Sequence, residues 1–242
     1  MTSNPAPTSP KKLLTLWPQK GGIGKSFVAT LAFDYLRERG VRVKAFDLDH
    51  ANSTFQRYVP EAEFIDTDVD TDKLAVLDRL VCTLTDSDAE VVLADNRASG
   101  GDKLEHYFKD NRLVLLQAES GFALVFVVVV VDDKDAISGI ADLVDAYGDR
   151  VRWLVVRNLR DGGRLAIFEE GSTRKKLLAH GAVEIDVPCL AEVTRNRLQL
   201  ANLTVARGRT AEQLHLLDRS RCVRFHEQMA VEFAKADRLL FS

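Results

Sequence analysis

Short apolar runs alternate with stretches in which apolar residues recur every three or four positions, and the alternation continues along most of the chain. The runs at 13–17, 41–46, 91–95, 122–131, 151–156 and 183–187 read as strands, with 63–66 a weaker edge strand. Between them the spacing is helical. Val28, Leu31, Ala32, Tyr35 and Leu36 share a face before Gly40, and Leu74, Leu77, Leu80, Val81 and Leu84 do so within 72–85. Ile137, Ile140, Ala141 and Val144 repeat the pattern within 133–147, closed by Gly148. The stretch 102–119 mixes both signals: Leu104, Phe108, Leu115 and Leu116 favour a helix, 113–116 alone could be a strand, and the whole is predicted as helix. A last stripe, Cys222, Phe225, Met229, Phe233, Ala236 and Leu240, predicts a helix over 219–240 that faces the core rather than a membrane. Strands alternating with helices predict an α/β fold, a doubly wound and mainly parallel sheet flanked by helices.

The first strand and first helix are joined by Gln19-Lys20-Gly21-Gly22-Ile23-Gly24-Lys25-Ser26. The pattern G-x-x-x-x-G-K-[ST] fails, because Gln19 stands where the first glycine should be; K-G-G-x-G-K-[ST] fits throughout. In either form small residues let backbone N–H groups turn inward on phosphate oxygens, and the following helix points its positive end at the same anion. Lys25 is then expected on the β and γ phosphates and the Ser26 hydroxyl on Mg²⁺.

Two further acidic elements fall at strand ends. Asp47-Leu48-Asp49 follows the second strand, and Asp95 closes the strand at 91–95. Ligands of parallel sheets gather at the carboxyl ends of the strands, so these carboxylates are expected beside the phosphate loop, Asp95 acting on Mg²⁺ through water. Asn158, after the strand at 151–156, reaches the same rim; its amide offers a donor and an acceptor to a purine edge, or it is a plain turn residue.

Composition narrows this picture modestly. A chain of 242 residues with 46% hydrophobic content sustains one substantial domain, here placed at 12–242 after a disordered leader at 1–11. That leader lacks the apolar segment of a secretory signal, which predicts a cytoplasmic protein. The apolar run at 122–131 is about half of the ~20 residues that span a bilayer as a helix. A net charge of −3 gives no global attraction to nucleic acid. Locally, 193–224 carries Arg195, Arg197, Arg207, Arg209, Arg219, Arg221 and Arg224 against Glu212 and Asp218, a candidate site for nonspecific DNA and nucleoid association, a solvated and internally paired face, or a contact for a protein or membrane partner. Cys82, Cys189 and Cys222 match no metal or redox spacing and are expected as reduced core thiols.

Taken together, Lys20-Gly21-Gly22-Ile23-Gly24-Lys25-Ser26, Asp47-Leu48-Asp49, Asp95, Asn158 and Pro188, in this order, resemble the ParA/MinD class of deviant Walker A ATPases, P-loop NTPases of the SIMIBI class. The resemblance implies ATP and Mg²⁺ as ligands, weak and partner-stimulated hydrolysis, and an ATP-bound sandwich homodimer. It implies that Lys20 reaches the partner protomer's phosphates, that Asp49 serves hydrolysis through the attacking water, that Asp47 and Asp95 organise the metal, and that Asn158 and Pro188 border adenine. The softer motifs at 148–158, Phe168-Glu169-Glu170 and Asp218-Arg219-Ser220-Arg221 look like the StbB/TraL-type branch, associated with plasmid stability and conjugative mobilisation.

The chain departs from the class at two switch positions. His50-Ala51 stands where partition ATPases carry Pro-Gln, and Arg97 where they carry proline. Both lie where loss of the γ-phosphate would be felt, so the coupling of hydrolysis to a partner is the property they touch. Metabolic enzymes of the dethiobiotin synthetase or cobyrinic acid amidase type, and a non-hydrolysing adaptor, are the alternatives. The nitrogenase reductase type is excluded, because its cluster cysteines would have to follow Asp95 in loops where this chain has none.

Overall fold

The computed structural model describes residues 10–17, 20–49, 53–66, 73–98 and 101–241; of these, the side chains of 73–76 and 101–103 lie outside the description. Of the leader expected at 1–11, residues 1–9 fall outside the described residues, as do Gln19, His50-Ala51 and the Leu74 side chain, whereas Lys11 already belongs to the first strand.

A seven-stranded sheet in the order β3-β2-β4-β1-β5-β6-β7 forms the centre, and every pairing is parallel. β1 (Lys11–Leu16) leads through α1 (Lys25–Glu38) to β2 (Val43–Asp47), α2 (Thr54–Tyr58) and β3 (Glu63–Phe64). α3 (Lys73–Asp86) returns the chain to β4 (Val91–Asp95), which inserts between β2 and β1. α4 (Gly101–Asp110) and α5 (Leu113–Ser120) then lead to β5 (Phe122–Val130) on the other side of β1. From there α6 (Lys134–Tyr147), β6 (Arg152–Asn158), α7 (Ala166–Glu170), α8 (Ser172–Ala179) and β7 (Val183–Val187) extend the sheet outward. The chain ends in α9 (Glu192–Leu200), α10 (Val205–Gly208), α11 (Leu216–Ala234) and α12 (Asp237–Phe241).

β5 shows why the runs were so apolar. Successive strand side chains point to opposite faces. Val125, Val127 and Val129 enter a core with α1, α9 and α11, while Leu124, Phe126, Val128 and Val130 enter one with α3, α4, α6 and α8. Both faces are therefore buried, as a central parallel strand requires.

Two predicted helices are broken. The stretch 102–119 is helical, but Arg112 adopts a left-handed conformation, φ 50°, between α4 and α5. Its carbonyl starts α5 by accepting from the N–H groups of Leu115 and Leu116, and the turn drives Leu113 into the core. The predicted helix at 219–240 begins earlier, at Leu216, and breaks after Ala234. The break lets Asp237 accept from the Tyr35 hydroxyl at 2.6 Å and from Arg39 at 2.5 Å, tying the C-terminus to α1. The thiols also differ from expectation: all three cysteines are free, yet only Cys222 is in the core, with Cys82 and Cys189 exposed.

Candidate nucleotide site

β1 lies between β4 and β5, so the chain leaves it towards one side of the sheet and later continues on the other. The carboxyl end of β1 is thus the crevice where a ligand of a parallel sheet is expected, and the glycine-rich loop sits there. Gly22 (φ 75°) and Gly24 (φ 98°) take backbone conformations that a side chain resists. Gly24 is also the residue from which α1 starts, so the first N–H groups of α1 open into the crevice. A cavity of about 500 Å³ lies above the loop, bordered by Gly21, Gly24, Lys25, Ser26, Asp49 and Asn96.

The loop is braced from beneath. The Asn158 amide donates to the Ile23 carbonyl at 2.8 Å, and Arg160 donates to the Gly22 carbonyl. A methyl group on Gly24 would come within 2.6 Å of the Asn158 amide nitrogen, so this glycine is required by space as well as by φ. At the end of β4, Asn96 donates to the Thr15 hydroxyl (2.7 Å) and the Leu16 carbonyl (2.8 Å), fixing β4 to β1 just before the loop. Sequence reading missed Asn96 and Arg160. The only local signal for either was its place one or two residues beyond a strand end already marked by Asp95 or Asn158.

The charged groups Lys25, Asp49 and Asp95 lie within each other's electrostatic reach. Lys25 is 7% exposed, and burial lowers its pKa against the attraction of Asp95 and Asp49. Asp95 is buried, and neither carboxylate oxygen has a hydrogen-bond partner of good geometry. Desolvation pushes its pKa up to about 7; the approach of the Ser26 hydroxyl offsets part of this, and the Asp47 charge adds to it. A buried carboxylate left without donors beside a serine hydroxyl suits a hydrated divalent cation, which takes one or two protein ligands together with phosphate oxygens. Ser26 and Asp95 thus fit a Mg²⁺ site.

Asp47 is positioned differently. Its two oxygens accept from the N–H groups of Asp49 (3.0 Å) and Gln56 (2.9 Å), so it holds the β2–α2 connection in shape. Burial still raises its pKa. Asp49, half-buried, lines the phosphate-side cavity, while Arg97 is half-buried beyond Asp95. Asn158 and Pro188 border a second cavity of about 310 Å³ with Phe27, Leu190 and Arg195, adjoining the first at Gly24 and Phe27. Lys20 stands at the outer rim, 51% exposed, with its ammonium 2.7 Å from Asp133.

The arginine-rich stretch is largely engaged with the protein itself. Arg197 and Arg221 both donate to Asp218. Arg207 bonds the carbonyls of Tyr58 and Asn202, and Arg209 bonds Glu38 and the Ala206 carbonyl.

The chain is similar to several known proteins. Residues 12–118 match the family model described as ATPase MipZ. A protein TraL of Escherichia coli is 30% identical over 192 residues, covering 74% of this chain and 77% of that protein. The chain belongs to the TraL family. A second Escherichia coli TraL, 28% identical over 220 residues, covers 84% of this chain and 88% of its own length. The fold is that of MinD of Aquifex aeolicus (TM-score 0.51, 12% identity, covering 92% of this chain and 97% of that one). It is also that of a protein described as a plasmid partition protein of Borrelia burgdorferi B31, solved with AMPPNP (TM-score 0.54, 13% identity, 93% and 99% covered). Among the described residues no helix is long and apolar enough to cross a membrane.

Proposed function

We propose that the protein is an ATP-dependent dimerisation switch with slow hydrolysis, serving plasmid stability, partition or conjugative mobilisation. The observation that carries the reading is the division of labour between two lysines on one loop. Lys25 is buried among Asp95 and Asp49 at the start of α1, in position for the β and γ phosphates of its own nucleotide. Lys20, five residues earlier, does not line the crevice; it is half-exposed and paired with Asp133, which supports a role towards a nucleotide presented by a second copy.

Within one protomer, the N–H groups of 21–26 and the Lys25 ammonium bind and orient the triphosphate, and Ser26 and Asp95 would hold Mg²⁺, which when bound would supply charge neutralisation. Asp49 orients the attacking water. Asn158 and Pro188 enclose the base. Closure of two such faces excludes water and brings each Lys20 to the opposite triphosphate.

Nonspecific DNA is not part of the proposal, because the intramolecular partners of Arg197, Arg207, Arg209 and Arg221 remove most of the supply on which it depended. The deciding experiment is molecular mass in solution with ATP, with ADP and without nucleotide, alongside the ATPase rate. A dimer in ATP alone, absent in Lys20→Ala, is the expected result. ATP binding and turnover by a monomer, with or without a small-molecule acceptor, would favour the metabolic alternative.

A further inference from the structure

β4 ends at Asp95, and the next residue, Asn96, is a second buried polar side chain to which the metal and loop chemistry give no work. Val91 and Leu93 pack towards α1, and Val92 and Ala94 towards α3 and α4. The alternation puts Asp95 on the α1 side, where it meets Ser26, and Asn96 on the other, where it meets Thr15. Asn96 is 6% exposed and borders the cavity of about 500 Å³ above the phosphate loop.

The orientation of its amide is fixed by chemistry. The Leu16 carbonyl can only accept, so the atom 2.8 Å from it is the amide nitrogen, which also donates to the Thr15 hydroxyl at 2.7 Å. Both amide protons are therefore spent on β1, and the carbonyl oxygen takes no part in the anchor. No donor reaches that oxygen among the described residues, yet it is not sealed from solvent, and the space that Asn96 borders is the cavity.

The place of Asn96 along the cavity narrows its role. The smaller cavity at Asn158 and Pro188 adjoins the larger one at Gly24, Phe27 and Arg195, whereas Gly21, Asp49, Asn96 and Ala98 border the larger one alone. With the base at Asn158, those four stand at the γ-phosphate end. Asp49 and Asn96 also leave neighbouring strands: Asp47 is in register with Asp95, and the Leu48 N–H donates to the Asp95 carbonyl at 2.9 Å.

Resting on the ATPase reading above, we infer that the Asn96 carbonyl oxygen holds the water that attacks the γ-phosphate, as a second acceptor beside Asp49. Phosphate oxygens only accept, so an amide carbonyl cannot pair with the triphosphate itself; its partner there has to be a donor, and water is the donor that the reaction brings. A water attacking through a lone pair has two protons to place, and two acceptors at adjacent strand ends set where that lone pair points. The water oxygen bonds to the γ-phosphorus as the bond from that phosphorus to the bridging oxygen breaks. The electron pair leaves with ADP, and the water proton ends on the released phosphate; Asn96 accepts a hydrogen bond and no proton. Water bound to Mg²⁺ is a donor too, but Ser26 and Asp95 would place the metal on the α1 side, away from the side that Asn96 takes.

The test compares the affinity for AMPPNP, a ground-state mimic, with that for ADP-aluminium fluoride, which reproduces the in-line water of the transition state. Two variants are used, Asn96→Ala and Thr15→Val, the second at a position that does not border the cavity. In Asn96→Ala turnover should fall about 10- to 100-fold and ADP-aluminium fluoride affinity about tenfold or more, with AMPPNP affinity and Mg²⁺ half-saturation within about twofold of the parent. Thr15→Val loosens the amide and keeps the acceptor, so turnover and ADP-aluminium fluoride affinity should fall together by about three- to tenfold at unchanged AMPPNP affinity. It also keeps the inference falsifiable if Asn96→Ala does not fold. The inference is overturned if a folded variant turns ATP over at the parent's rate, if both affinities fall equally, or if Mg²⁺ half-saturation is what shifts. In those cases it falls alone; a parent that does not hydrolyse ATP overturns it together with the ATPase reading.

Discussion

The Lys20 ammonium is held 2.7 Å from a carboxylate oxygen of Asp133, while the other oxygen of Asp133 accepts the Ala136 N–H at 3.0 Å and so caps α6. The pair raises the lysine pKa and lowers that of the aspartate. On the proposed switch, this pair holds Lys20 on its own chain until a second protomer's nucleotide competes with Asp133 for it. Asp133→Asn keeps a good N-cap and removes the charge. The expected outcome is an ATP-dependent dimer at two- to tenfold lower protein concentration with little change in unfolding midpoint, measured by solution mass across a dilution series. An unchanged midpoint of dimerisation would show that the parking contact has no part in the switch.

Asn158 is expected to serve the phosphate loop as well as the base, because its amide nitrogen already holds the Ile23 carbonyl. Asn158→Ala should weaken ATP about tenfold, of the order of one to two lost hydrogen bonds. It should also weaken inorganic tripolyphosphate, which has no base. Competition of both ligands against a fluorescent nucleotide separates the roles, since loss of ATP affinity alone would leave only base reading.

How much of this was legible in the sequence follows from the range of each interaction. The strands of the sheet could be read because burial on both faces makes 91–94 of β4 and all of β5 apolar, and the loop could be read because its glycines cluster at 21, 22 and 24. The break at Arg112 left no glycine or proline to announce it; Leu113 reaching the core decides it. Sequence left the arginine stretch undecided between internal pairing and an outside partner because Asp218 accepts from α9, more than twenty residues away in sequence, and Glu38 accepts from Arg209 across a still longer separation. Asp47 was recognised as a site carboxylate, but its two backbone donors depend on how the β2–α2 connection folds. The short helices α2 and α7 to α10 were missed for a related reason: pieces of four to nine residues carry too few turns for a periodic pattern.

Lys25→Ala should lower ATP affinity by about 10- to 100-fold, the loss of a charge-assisted contact to phosphate from a loop that otherwise offers N–H dipoles. Asp49→Ala should bind ATP normally, hydrolyse it at least tenfold more slowly and accumulate the dimer. Calorimetry and phosphate release distinguish the two variants. Equal behaviour of both would mean that the carboxylate acts in binding instead of turnover.

Asp34 gives the protein a stability that falls as pH rises through the mildly acidic range. It lies on the face of α1 against α10, with one carboxylate oxygen buried and unpartnered. Burial pushes its pKa from 3.8 to about 6, opposed by the Thr204 hydroxyl and by Arg207 and reinforced by Glu38. The native state therefore holds this proton where the unfolded chain has released it, between pH 4 and 6. Over that window the native state binds more protons than the unfolded one, so the contribution of Asp34 declines as pH rises and is fully expressed only below pH 4. The displacement corresponds to about 2 to 3 kcal/mol. Asp34→Asn, which mimics the protonated acid in shape and charge, should gain stability relative to the parent as pH rises from 4 to 7, by up to that amount, and the two should converge at pH 4. Urea unfolding at pH 4, 5, 6 and 7 measures it. A difference between the two proteins that stays constant over the series would mean that Asp34 is ionised in the folded protein throughout.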